Sequence, residues 1–130
     1  MGLDCSHDAF HGAYSAFNRL RQAVCRAMGG SFPPHEDKTL DLAFWYLGDG
    51  YGPDTHPGLL EFLSHSDCDG EIAPEMCVRV ADELEALLPK VSDDGAWGHL
   101  ARDGGYVAVL EQFIAGCRDA AAAGEPLRFF

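Results

Sequence analysis

A chain of 130 residues has room for one domain, and 47% hydrophobic against 23% charged residues describes a globular chain rather than a disordered one. The 21 acidic and 9 basic residues leave a formal net charge of -12. That field repels a phosphate backbone and an anionic lipid surface, so neither nucleic acid nor membrane is expected as a partner.

The five cysteines, Cys5, Cys25, Cys68, Cys77 and Cys117, are odd in number and contain no C-x-x-C pair. A disulfide framework or zinc ribbon is therefore not expected; reduced thiols and a cytoplasmic location are. The opening residues show no basic stretch followed by an apolar run, so no secretory signal is expected. No stretch approaches the ~18 apolar residues of a membrane span.

In chain order, the spacing of Phe10, Ala13, Tyr14, Phe17, Leu20, Val24 and Met28 predicts a helix from Asp8 to Met28. Ser6 serves as its N-cap and Gly29-Gly30 as its stop. Pro33-Pro34 marks a loop, and the apolar run from Thr39 to Leu47 reads as a short buried helix, with a strand left open. A glycine-rich loop, Gly48 to Pro53, follows. Thr55-His56-Pro57 starts a helix carrying Leu59, Leu60, Phe62 and Leu63. The polar turn Asp67-Cys68-Asp69-Gly70 ends it.

Pro74 opens a further helix with Cys77, Val80, Ala81, Leu84, Leu87 and Leu88 in register, and Pro89 lies just past it. Residues 92–105 read as loop. The last helix, Tyr106 to Ala123, presents Val107, Leu110, Phe113, Ile114, Cys117 and Ala121, and Gly124 closes it. The tail residues Leu127, Phe129 and Phe130 are apolar enough to dock on the domain. The expected fold is all-α: one domain over residues 1–130, a compact bundle of four to five helices joined by Gly-rich loops.

Two segments concentrate chemistry. In Asp4-Cys5-Ser6-His7-Asp8-Ala9-Phe10-His11, the two histidines are four apart, so on a helix their rings share a side, with Tyr14, Asn18 and Cys25 continuing the line. Such a row lines a pocket between helices or offers a metal two imidazoles, although the Glu of a zincin H-E-x-x-H is missing. The bland reading is two solvent-facing histidines in a first turn.

In the second segment, His65-Ser66-Asp67-Cys68-Asp69-Gly70-Glu71-Ile72, residues Asp67, Asp69 and Gly70 resemble half of an EF-hand loop. His65 stands where that loop needs its first acid, and Met76 where it needs a bidentate Glu. The bland reading makes Asp67 and Asp69 Asx-turn and capping residues, with Gly70 at positive φ. The functional reading joins His65, Asp67 and Asp69 to the opening histidines. His7, His11, Asp67 and Asp69 then form a mixed set suited to zinc or manganese.

Single residues add less. Tyr51 is placed to stack on a planar ligand, whereas Trp45 reads as core. Cys68 between two aspartates is a poor nucleophile. Arg19, Arg21 and Arg26 are scarce cations that would either clamp an acidic group or pair with surface carboxylates.

The opening run Met1-Gly2-Leu3-Asp4-Cys5-Ser6-His7-Asp8, then His11-Gly12-Ala13-Tyr14-Ser15, and the later His65 to Glu71, together resemble a family of small proteins from bacteria and their phages. That resemblance implies no activity, but the phage association implies a role such as sequestering nucleotide-derived immune signals without chemistry. The leading expectation is a non-enzymatic binder of a small polar metabolite. Its pocket would use His7, His11, Tyr14, Asn18, Tyr51, His65, Asp67 and Asp69.

The alternative is a divalent-metal-dependent hydrolase with His65 or Glu71 as general base. An interaction module with an acidic face is a third reading, and homo-oligomerisation is left open. Both leading readings require residues 4–11 and 65–71 to share one cavity.

Overall fold

The computed structural model describes residues 2–30, 50–52, 54–66, 69–93 and 104–130. The apolar run 39–47 with Trp45, the segment 94–103, Asp67 and Cys68 lie outside the described residues. In order, the elements are β1 (Gly2–Asp4), a 3-10 turn (Ser6–Asp8), β2 (His11–Ala13), α1 (Tyr14–Ala27), α2 (Pro57–Ser64) and β3 (Glu71–Ile72). There follow α3 (Pro74–Leu87), a second 3-10 turn (Leu88–Lys90), α4 (Tyr106–Ala123) and β4 (Leu127–Arg128). The chain is mainly helical, but an all-α bundle is a correction to make: two small antiparallel sheets stand beside four α-helices among the described residues.

The largest departure lies at the N-terminus, where the predicted helix over 8–28 begins only at Tyr14. Residues 2–13 instead fold back as a hairpin, Gly2 opposite Ala13, Leu3 opposite Gly12 and Asp4 opposite His11. The close pairing depends on glycine, since a Cβ on Gly2 would come 2.6 Å from the Gly12 carbonyl oxygen. His7 and Asp8 turn the chain in left-handed backbone, at φ 58° and 55°, a region that His and Asp tolerate better than most residues. Leu3, Ala9 and Phe10 are buried in the core, so the hairpin still hides Phe10, the first residue of the expected helical stripe.

The remaining helices follow their sequence signals. Pro57 and Pro74 stand at the first turns of α2 and α3, and Gly124 ends α4 in left-handed backbone at φ 69°. Phe17 of α1, Phe62 of α2 and Phe113 of α4 meet at the centre, with ring centroids 5.5 Å apart for the first pair and 5.1 Å for Phe62 and Phe113. Cys77, Val80, Ala81 and Leu84 of α3 face Leu110, Phe113 and Cys117 of α4 in one continuous core.

Of the tail, Leu127 and Phe129 are buried as expected, whereas the Phe130 side chain is 59% exposed. The alternation is that of a strand: β4 pairs with β3, Ile72 opposite Leu127 and Glu71 opposite Arg128. No helix of the described residues is long and apolar enough to cross a membrane.

Two glycines mark where elements touch backbone to backbone. A Cβ on Gly58 would lie 2.6 Å from the Arg79 carbonyl carbon, and one on Gly116 would overlap Ala9. Gly58→Ala and Gly116→Ala are each expected to lower stability by about 1–3 kcal/mol through overpacking, although alanine is the better helix former. Urea denaturation measures this, and unchanged midpoints would show that these crossings are looser than described.

Candidate functional site

The C-terminal strand brings the two chemistry-bearing segments together. On one flank, the Arg128 backbone N–H donates to the Ser6 hydroxyl at 2.8 Å and the Phe130 N–H to the Asp4 carbonyl at 2.8 Å. On the other, the Phe129 N–H donates to the Gly70 carbonyl at 2.9 Å. Between these partners opens a recess of about 360 Å³ lined by Ser6, His7, Glu71, Glu125, Pro126 and Arg128.

The recess has a mixed lining in which Arg128 and His7 face two carboxylates, with Pro126 beside them. His7 Nε2 lies 3.3 Å from Glu125 Oε1, and Arg128 Nε lies 3.9 Å from Glu71 Oε2. Glu125, Glu71 and Arg128 are all more than half exposed. Pairs this open are each worth at most about 1 kcal/mol, so an incoming ligand displaces them at little cost.

Of the sequence-predicted residues, His7 and Glu71 line this recess, and the other described ones do not. His11 does not share a helical side with His7, because one sits in the 3-10 turn and the other in β2. Its Nδ1 lies 2.9 Å from Asp4 Oδ1 and its Nε2 3.1 Å from Asp8 Oδ1, so both ring nitrogens are engaged. Hydrogen bonding to Asp4, then to Asp8, raises the His11 pKa above its ordinary value.

His65 braces the turn: its ring lies 4.2 Å from that of Phe129, and its nitrogens approach the carbonyl oxygens of Ser66 (2.8 Å) and Glu71 (3.1 Å). Asp69 is exposed, its N–H 3.4 Å from the Ser66 hydroxyl. Gly70 takes positive φ, 89°, as expected.

Tyr14 is half-buried against the core. Asn18, on α1, holds a buried Nδ2 with no hydrogen-bond partner. Tyr51 lies apart from the recess lining, its hydroxyl 3.4 Å from Lys90 Nζ and its ring 4.7 Å from that of His56. Asp67 is outside the described residues.

Among the described residues no group of three or more His, Cys, Asp or Glu side chains stands where it could hold a metal ion. His7, His11 and Asp69 do not converge, because the hairpin points the two imidazoles at different carboxylates. The described cysteines are core residues. Burial pushes the Cys5 thiol up to about 12 and the Cys25 thiol up to about 11, and Cys117 is also raised, through its contact with the Cys77 thiol and through burial. Thiols raised in this way are poor nucleophiles, and Cys77, which the contact with Cys117 lowers instead, is fully buried.

Glu125, Pro126 and Arg128 are the lining residues that the sequence reading did not reach. The signal for them was the alternation of Leu127, Arg128 and Phe129, which has the period of a strand. No protein-family model, curated protein or solved structure matches the chain.

The Asp4–His11–Asp8 arrangement has a pH signature. Because its folded pKa is raised, His11 adds stability below its unfolded value near 6.5 and loses that contribution as pH rises through the folded value. An NMR titration of the His11 ring is expected to show a midpoint above 6.5, with Asp4→Asn lowering it more than Asp8→Asn. A midpoint that neither substitution moves would remove the two carboxylates as its cause.

Proposed function

We propose that this protein is a non-enzymatic binder of a small polar metabolite, held in the recess between the opening hairpin and the mid-chain turn. The observation that carries this reading is that Ser6 and His7 line the same cavity as Glu71. At about 360 Å³ the cavity falls in the range of small-molecule sites. Its chemistry favours a ligand with mixed groups: Arg128 suits a phosphate or carboxylate, while Glu71 and Glu125 accept hydrogen bonds from hydroxyl or amino groups.

A bare phosphate would meet two carboxylates and be repelled. A nucleotide-derived molecule offers phosphate to the arginine and ribose hydroxyls or base N–H groups to the glutamates. The family that the opening motif resembles brings no activity of its own, and it is the phage association alone that suggests sequestration of a nucleotide-derived signal.

Binding rather than catalysis is the better account of the lining. The Ser6 hydroxyl accepts the Arg128 N–H, and the carboxylate of Glu125, 3.3 Å away, rather than Ser6 is the neighbour of His7 Nε2. A nucleophile–base pair would need those two in contact.

Thermal midpoints against nucleotides, cyclic dinucleotides and ADP-ribose derivatives test the reading. A true ligand at a hundred times its Kd stabilises by about 2.7 kcal/mol, a shift on the order of 10 °C for a domain of this size. Arg128→Gln and Glu125→Gln should each remove most of that shift. A flat response across the panel, or a shift indifferent to both substitutions, would refute the proposal.

A further inference from the structure

A second cavity, of about 250 Å³, lies away from the recess and is lined by Ala23, Arg26, Ala27, Lys90 and Ser92. Its character is the reverse of the first. Among the described residues two cations and a hydroxyl line it, with no carboxylate, in a chain that has only 9 basic residues against 21 acidic ones. Among the described residues neither Arg26 nor Lys90 comes within ion-pair distance of an acid. Lys90 instead donates to the Tyr51 hydroxyl at 3.4 Å, which ties its flexible stem toward a fixed place.

Arg26 in the last turn of α1 complements the carbonyl end of that helix. This accounts for one cation. It does not account for two, drawn from separate elements, sharing a cavity where their mutual repulsion has no counter-charge. Ala23 and Ala27, one turn apart on α1, line the cavity with side chains too small to fill it.

We propose that this cavity is a binding site for a phosphate group, either inorganic phosphate or the phosphate of a monoester metabolite. Arg26 gives a fork of planar donors, Lys90 an ammonium, and Ser92 a hydroxyl at the rim. The nearest acid in sequence, Asp93, turns away and accepts the Val107 N–H at 3.0 Å, capping α4. The site is independent of the recess and of any ligand bound there.

Titration of the full chain with inorganic phosphate, and separately with adenosine monophosphate, tests this by amide NMR shifts at constant ionic strength against a sodium chloride control. Saturable shifts at Ala23, Ala27 and Ser92 are expected with at least one of the two. The tighter of the two identifies free phosphate or a monoester as the source. Arg26→Ala and Lys90→Ala should each weaken binding about tenfold, the loss of one charge-assisted hydrogen bond, while Arg26→Lys should recover part of it.

Arg118→Gln, which removes an equal charge from the α3–α4 surface, should leave the affinity unchanged. Shifts that chloride reproduces, or affinities that fall equally with Arg118→Gln, would overturn the proposal. Because both cations are exposed, the alanine variants are expected to keep the wild-type amide spectrum elsewhere.

Discussion

Residues 127–130 form hydrogen bonds on both flanks at once, and the candidate site exists because of it. Successive backbone N–H groups of a strand point to opposite sides. Here Arg128 and Phe130 turn theirs toward Ser6 and Asp4, and Phe129 turns its own toward Gly70. The same alternation sends Leu127 and Phe129 into the core and leaves Arg128 outside, facing the recess. Burial of two large apolar side chains therefore positions a charged one, and it fixes the spacing between a hairpin and a turn that are far apart in sequence.

The turn is held from below by a buried cation. Arg21 of α1 donates from Nε to the Phe62 carbonyl at 3.0 Å and from Nη2 to the His65 carbonyl, while its guanidinium lies 4.6 Å above the Phe17 ring. The last carbonyls of a helix have no partner within it, and a positive charge is favoured at that end. Arg21 thus closes α2 from another helix, a role distinct from both sequence readings, in which it clamped an acid or paired with a surface carboxylate. It also fixes where His65 begins the turn, and the His65 ring packs on Phe129. Core, helix end, turn and tail strand form one connected chain of support.

How much of this was legible depends on the strength of the local signal. Pro57, Pro74 and Gly124 mark helix ends through backbone restrictions that act regardless of context, and the structure places the ends there. The opening segment carries no such mark. Phe10, Tyr14 and Phe17 fit a helical stripe, but Phe10 reaches the Phe17 ring, centroids 5.0 Å apart, from a hairpin equally well. Gly2 and Gly12 decide the matter, because their close approach is a tertiary fact that neither glycine reveals alone. Strands of two or three residues also give an alternation too short to outweigh a competing reading. The two His/Asp segments were legible each by itself, but neither their meeting nor the residues that join them could be read from the sequence.

The two cavities divide the scarce cations by what stands beside each. In the recess Arg128 and His7 face Glu71 and Glu125, so a ligand gains there only by offering acceptors and donors together. In the second cavity Arg26 and Lys90 stand beside alanines, and among the described lining residues a compact anion meets no opposing charge. A net charge of -12 would argue against either binding an anion if the whole surface acted on it equally. It does not: at physiological ionic strength the field of an exposed charge decays over about 8 Å, so the groups lining a cavity outweigh the carboxylates beyond it. Overall acidity then serves to exclude long polyanions, which cannot avoid the rest of the surface. A single phosphate that fits within one cavity is spared that repulsion.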